Sequence, residues 1–254
     1  MKLCRNIHAA CRRHTRALIA GIALLGSCAD TREDKGDILL MWDEDASELG
    51  AALHNRRLMQ DRVRELNAEL KLPWDIPVLI THCGKTSPWY DFQTRSITMC
   101  YELLEALVAI ESEQPETARL DATWLFVFLH EVGHALVHAY HMPVLGSAED
   151  MADQFATLRL LEWERYAPYL YMAAEYWRDA APDHYTQESF ADEHSTHWER
   201  YYTTLCIMYG SNPRAYQELV TEGILPRDRY ERCRFEYKEA RDSWNDELAP
   251  WTKD

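Results

Sequence analysis

From Ala46 to Lys71 the apolar residues Leu49, Leu53, Leu58, Val63, Leu66 and Leu70 recur at helical intervals, which predicts an amphipathic helix stopped by Pro73. Pro77-Val-Leu-Ile-Thr81 and Ser96-Ile-Thr-Met-Cys100 read as short strands on either side of a turn region containing Gly, Ser and Pro, and they make up the expected sheet. Helices are expected over residues 101–112, 120–141, 148–166, 186–209, 213–222 and 227–248, with Pro115, Pro143, Pro168, Pro182, Pro213 and Pro226 interrupting them. There is no internal repeat and no low-complexity segment. The predicted class is therefore a predominantly helical α+β domain.

The first 27 residues follow a different logic. Five basic residues, Lys2, Arg5, Arg12, Arg13 and Arg16, precede the apolar run Ala17 to Leu25, and no acid occurs before Asp30. Basic, then apolar, then small is the order of a secretory signal, and a run of about nine apolar residues is far below the roughly 20 that span a bilayer. Leu25-Gly26-Ser27-Cys28 is similar to a bacterial lipobox, with Cys28 as the lipidated first residue of the mature chain; simple cleavage after Ala29 is the alternative. The expected organisation is a signal over residues 1–27, a lipid-site cysteine and flexible tether over 28–46, and one domain over 47–254. The protein is expected to be exported and to meet the membrane only through its anchor.

Composition narrows the partners. The chain has 254 residues, 42 acidic and 27 basic, a formal net charge of −15. Loss of the five basic residues in the signal leaves 22 basic against 42 acidic, or −20. That balance excludes the phosphate-neutralising surface nucleic acids require. Seven cysteines fall to four, Cys83, Cys100, Cys206 and Cys233, once Cys4, Cys11 and the lipid-site Cys28 are set aside. An even number in an exported chain favours pairing. Three connectivities exist; Cys83 with Cys100 and Cys206 with Cys233 are favoured, because each pair brackets a short segment containing a turn.

The chemistry is concentrated in the most apolar helix, at His130-Glu131-Val-Gly-His134. Residues four apart on a helix project about 40° from each other, so both imidazoles face one ion while Glu131 sits beside the water such an ion carries. Two histidines and a carboxylate directly after Phe128-Leu129 are costly to bury without a task. A catalytic zinc takes three protein ligands and leaves one position open. The third ligand is expected from the next helix, where Glu149 is the stronger candidate. Asp150 fits a capping box with Ser147, and Asp153 lies one turn beyond Glu149, where it can hold the second ring nitrogen of a ligating histidine. His194 is a candidate oxyanion stabiliser, with His197 as its rival; His138 is turned about 80° from His130 and reads as solvated. The aromatics from Trp163 to Trp177 read as core packing.

His130-Glu-x-x-His134 followed by Glu149-x-x-x-Asp153 resembles the glutamate-ligated zincins. Leu72-Pro73-x-x-Ile76, Cys83-Gly84, Ile97-Thr-Met-Cys100-Tyr101-Glu102, Phe190-Ala-Asp-Glu-His194, Leu205-Cys206-x-x-Tyr209-Gly210 and Leu225-Pro226 resemble the bacterial metallopeptidases catalogued as domain of unknown function 4344, over about residues 48–252. The resemblance implies a zincin-like metallopeptidase domain, with its small sheet beside the active-site helix, and supports the two cysteine pairings. It implies Zn2+ as cofactor, a peptide or protein substrate, and Glu131 as general base. Thr86-Ser-Pro-Trp-Tyr90 departs from the Asn-Ala-Phe-Tyr-like stretch of the family, at what would be the substrate rim. The rival class is a non-catalytic envelope lipoprotein with a structural metal or docking role. Oligomeric state and cleavage specificity are not encoded in any of these motifs.

Overall fold

A computed structural model describes residues 32–43, 48–55, 57–110, 117–144, 146–164, 166–187, 189 and 195–253. The signal, Cys28 and His194 lie outside the described residues. The class is as expected, a mainly helical α+β domain with one small mixed sheet.

The sheet has four strands. β1 (Ile38–Trp42), β2 (Ile76–Thr81), β3 (Trp89–Asp91) and β4 (Ser96–Cys100) lie in the order β1-β2-β4-β3. β1 and β4 run parallel to β2, and β3 is antiparallel to β4. β1 corrects the expected tether over 28–46, because residues 38–42 of it form a paired strand. Ile38 pairs with Ile76 and Trp42 with Ile80, so the folded unit begins before residue 47. The outer edge of β1 is closed by a side chain: the Asn67 amide accepts from Ile38 N at 2.8 Å and donates to Ile38 O at 3.0 Å. β3 was also unforeseen. It leads into β4 through an Asx turn in which Asp91 Oδ1 accepts from Gln93 N at 2.7 Å and Thr94 N at 3.1 Å, followed by Arg95 in the left-handed region. Along the strands Ile38, Val78, Ile80, Ile97 and Met99 turn to the core, while Leu39, Met41 and Leu79 face outward.

The single helix expected over 46–71 is two, α1 (Glu48–Asn55) and α2 (Leu58–Glu69), parted at Arg57 with φ 55°. Leu53 and Leu58 are both buried, yet five residues on an unbroken helix would point them about 140° apart; the break lets both reach the core. Then follow α3 (Tyr101–Ile110), α4 (Thr117–Tyr140) and α5 (Ala148–Glu162). α6 (Leu170–Asp179) had no sequence forecast; the aromatics around it do pack inward, Trp177 beside Phe126. α7 (His197–Ser211) starts later than the expected residue 186, because Thr196 and Glu199 form a capping box there. α8 (Glu218–Thr221) is a single turn, and α9 (Arg227–Leu248) closes the domain.

α4 is the axis of the core. Every residue from Leu120 to Leu136 is buried, and α3, α5, α6, β3 and β4 pack around it. Its length and apolarity would suit a membrane span, but that whole stretch is covered by protein. Disulfides Cys83–Cys100 and Cys206–Cys233 join the β2–β3 loop to β4 and α7 to α9.

Candidate metal centre

One helical turn separates His130 from His134, and their rings stand nearly perpendicular with centroids 4.7 Å apart. α5 meets them because Gly133 has no side chain. A Cβ there would lie 2.9 Å from the Ala152 Cα, closer than carbon atoms pack. That contact sets α5 against α4 with Glu149 and Asp153 on the inner side. Ser147 caps α5, its Oγ accepting from Glu149 N at 3.1 Å and Asp150 N at 3.3 Å, so the first turn holds Glu149 where the helix N-terminus favours a carboxylate.

Glu149 Oε2 is 3.1 Å from His130 Nε2, Glu149 Oε1 is 3.2 Å from His134 Nε2, and the two Nε2 atoms are 3.1 Å apart. Ligands at about 2.0 to 2.1 Å around one tetrahedral ion stand roughly 3.3 Å from one another. The donor set therefore has the spacing of ligands around one small divalent cation. These three residues can hold a metal ion. The other cluster of this kind among the described residues, Cys83, Cys100 and Glu102, has its sulfurs joined in a disulfide and offers no thiolate.

Asp153 stands behind His130. Its Oδ1 lies 2.7 Å from His130 Nδ1, placed to accept that nitrogen's proton so that Nε2 is the one turned toward Glu149 and His134. The opposite side of Asp153 is occupied by a residue the sequence reading did not select. Arg200 of α7 donates from Nε to Oδ2 and from Nη2 to Oδ1, both at 2.7 Å. Its guanidinium lies 3.6 Å from the centre of the Trp177 ring, and both members of the pair are buried. Nothing local marks Arg200, which is 47 positions from Asp153 in a helix of mixed charge.

The electrostatics follow from this packing. Burial opposes a charge on His130, but Asp153 and Glu149 outweigh it and raise its pKa. Burial also opposes ionisation of Glu149 and Asp153; contacts with His130 and His134 for the first, and with Arg200 and His130 for the second, hold both below the ordinary carboxylate range. Glu131 differs. Burial raises it, and His130, His134 and the Tyr90 backbone N–H only partly offset this.

Glu131 and His130 form one wall of a cavity of about 380 Å³. Leu103, Val127, Trp177, His197 and Arg200 also line it. Thr86, Ser87 and Pro88 line it as well. Glu102 anchors their loop, accepting from the backbone of Cys83 and Gly84.

Two alternatives are settled by position. Asp150 accepts from Ser195 Oγ at 2.6 Å and does not join the histidines. His138 is only partly solvated, where full solvation was expected: it bonds the Tyr90 hydroxyl at 2.9 Å and lies against Trp74 and Phe92. His197 reaches the cavity, while its rival His194 is outside the described residues. No curated protein and no solved structure matches the chain. Residues 41–248, from the end of β1 to the end of α9, match the family model described as putative metallopeptidase, and the chain therefore belongs to that family, domain of unknown function 4344.

Proposed function

We propose that the protein is a zinc-dependent metallopeptidase that hydrolyses peptide bonds in the bacterial cell envelope, exported by its N-terminal signal and held at the membrane through Cys28. The observation that carries the reading is the convergence of His130, His134 and Glu149 on one point with Glu131 beside them at the cavity wall. When bound there, zinc supplies a Lewis acid that activates water and polarises a peptide carbonyl near neutral pH. Glu131 accepts the proton as water attacks, and the same carboxyl delivers it to the departing amine. Burial suits it to both halves of that exchange, because it brings the carboxyl closer to the working pH. Asp153 keeps the His130 proton on Nδ1. His194 is the first candidate to donate to the developing oxyanion, and its rival His197 lines the same cavity as Glu131. No serine or cysteine nucleophile is required.

Among the described residues three protein donors converge, which supports a catalytic reading over a structural metal, for which four is the rule. Both disulfides fit export to an oxidising compartment. The test is Glu131→Gln. Zinc content by elemental analysis is expected to stay near one per chain while hydrolysis of a casein or peptide-library substrate falls at least about 100-fold. Hydrolysis at the wild-type rate would refute the proposal.

A further inference from the structure

We infer that Arg200 is a positioning residue for the metal centre: by forking both oxygens of Asp153 it fixes the carboxylate that orients His130, and thereby sets the affinity of the site for a divalent cation. The inference rests on the metal-centre reading above and extends it to a residue on a third helix.

Asp153 Oδ1 is shared between His130 Nδ1 and Arg200 Nη2, each at 2.7 Å, while Oδ2 takes Arg200 Nε at 2.7 Å. A carboxylate bonded only to an imidazole can rotate about its terminal torsion. One gripped by a planar guanidinium cannot, because both oxygens are tied in one plane. The plane of Asp153 decides where the Oδ1 lone pair meets Nδ1, and so where the His130 ring aims Nε2. Arg200 is itself held on both sides. Its cation rests on the Trp177 ring at 3.6 Å, and its backbone N–H makes the bond to Thr196 O at 3.0 Å that opens α7. The capping box at Thr196 and Glu199 thus places the guanidinium.

Charge points the same way. Asp153 is 4% exposed and Arg200 9%, so the pair is close to neutral as a unit inside the protein. A neutralised carboxylate can hold the Nδ1 proton without leaving an uncompensated charge beside the ligand. Ion pairs this deeply buried contribute little net stability as simple glue, since desolvation offsets their attraction. Here the shared oxygen links the pair to a metal-ligand histidine.

The test uses the full chain with both disulfides intact. Zn2+ affinity is measured by competition with a chromophoric chelator, and ligand geometry by the visible spectrum of the Co2+-loaded protein. Arg200→Ala is expected to bind Zn2+ about 10- to 100-fold more weakly, the range for loss of an outer partner of a ligating histidine, with an altered Co2+ spectrum. Arg200→Lys, which keeps the charge and loses the fork, is expected to fall between wild type and Arg200→Ala. Added guanidinium at a few millimolar is expected to restore part of the Arg200→Ala loss. A purely structural role would lower the melting temperatures of metal-free and metal-loaded protein equally and leave affinity and spectrum unchanged; that result overturns the inference. If Arg200→Ala fails to fold, Arg200→Lys decides: wild-type affinity and spectrum overturn it, and weakened binding in a folded protein supports it. Absence of Zn2+ binding by the wild type would overturn the metal-centre reading and this inference with it, whereas tight wild-type binding unaffected in the variants overturns this inference alone.

Discussion

Replacing Gly133 by alanine tests whether the approach of two helices builds the site. On an exposed helix the change would stabilise by about 1 kcal/mol, because glycine is that much poorer than alanine in a helix interior. Here the new Cβ would meet the Ala152 Cα at 2.9 Å, its Cβ at 3.3 Å and its carbonyl oxygen at 3.4 Å. Carbon atoms pack at about 3.5 to 4.0 Å, so α5 must retreat by roughly half an ångström or more. Overpacking of this kind costs about 1 to 3 kcal/mol, which leaves the metal-free variant about 1 kcal/mol less stable after the propensity gain. Ala152 sits between Glu149 and Asp153, so both carboxylates recede from His130. The 2.7 Å bond from His130 to Asp153 opens, and zinc affinity falls by about tenfold or more. Urea titrations of metal-free and zinc-loaded protein, with zinc affinity by chelator competition, read both effects. The expected signature is a loss in each titration that is larger by about 1.4 kcal/mol or more when saturating zinc is present. A metal-free variant stabilised by about 1 kcal/mol, with unchanged zinc affinity, would refute the reasoning.

Other expectations follow from the same geometry. Gly210→Ala would drive a Cβ into the Cys233 carbonyl oxygen and to 2.7 Å from its carbon; α7 and α9 are tied there by Cys206–Cys233, so thermal unfolding should show a loss of about 3 kcal/mol or more. Replacing Cys206 and Cys233 together by alanine opens a loop of 27 residues, for which chain entropy predicts a loss of about 3.5 kcal/mol by denaturant titration. The backbone N–H groups of Cys83 and Gly84 hold the Glu102 carboxyl down to about 2. Because the folded value lies below the ordinary 4.5, the anchoring of that loop is complete above pH 4.5 and is lost as pH falls toward 2. Amide exchange at Cys83 and Gly84, corrected for its intrinsic pH dependence, should accelerate over that window in wild type and be fast throughout in Glu102→Gln.

Local periodicity was enough to read part of the site. His130 and His134 share a face because a helix repeats every 3.6 residues, whatever packs around it, and the same rule sets Glu149 and Asp153 one turn apart after the Ser147 cap. The buried apolar helix, the strands over 76–81 and 96–100, and the breaks at proline are likewise properties of a few adjacent residues. What required the folded chain is non-local. Glu149 and Asp150 are neighbours about 100° apart on α5, and only the contact of Gly133 with Ala152 decides that Glu149 turns to the histidines while Asp150 meets Ser195. β1 has an apolar segment flanked by charge, and its register comes from β2, 38 residues further on. Arg200 carries no local sign of its partner, because the energy that brings it to Asp153 lies in the docking of α7 against α5 and α6. Spacing along one helix thus determined which side chains can act together, and the burial of one helix against another decided which of them do, since contacts between distant segments have no period to read.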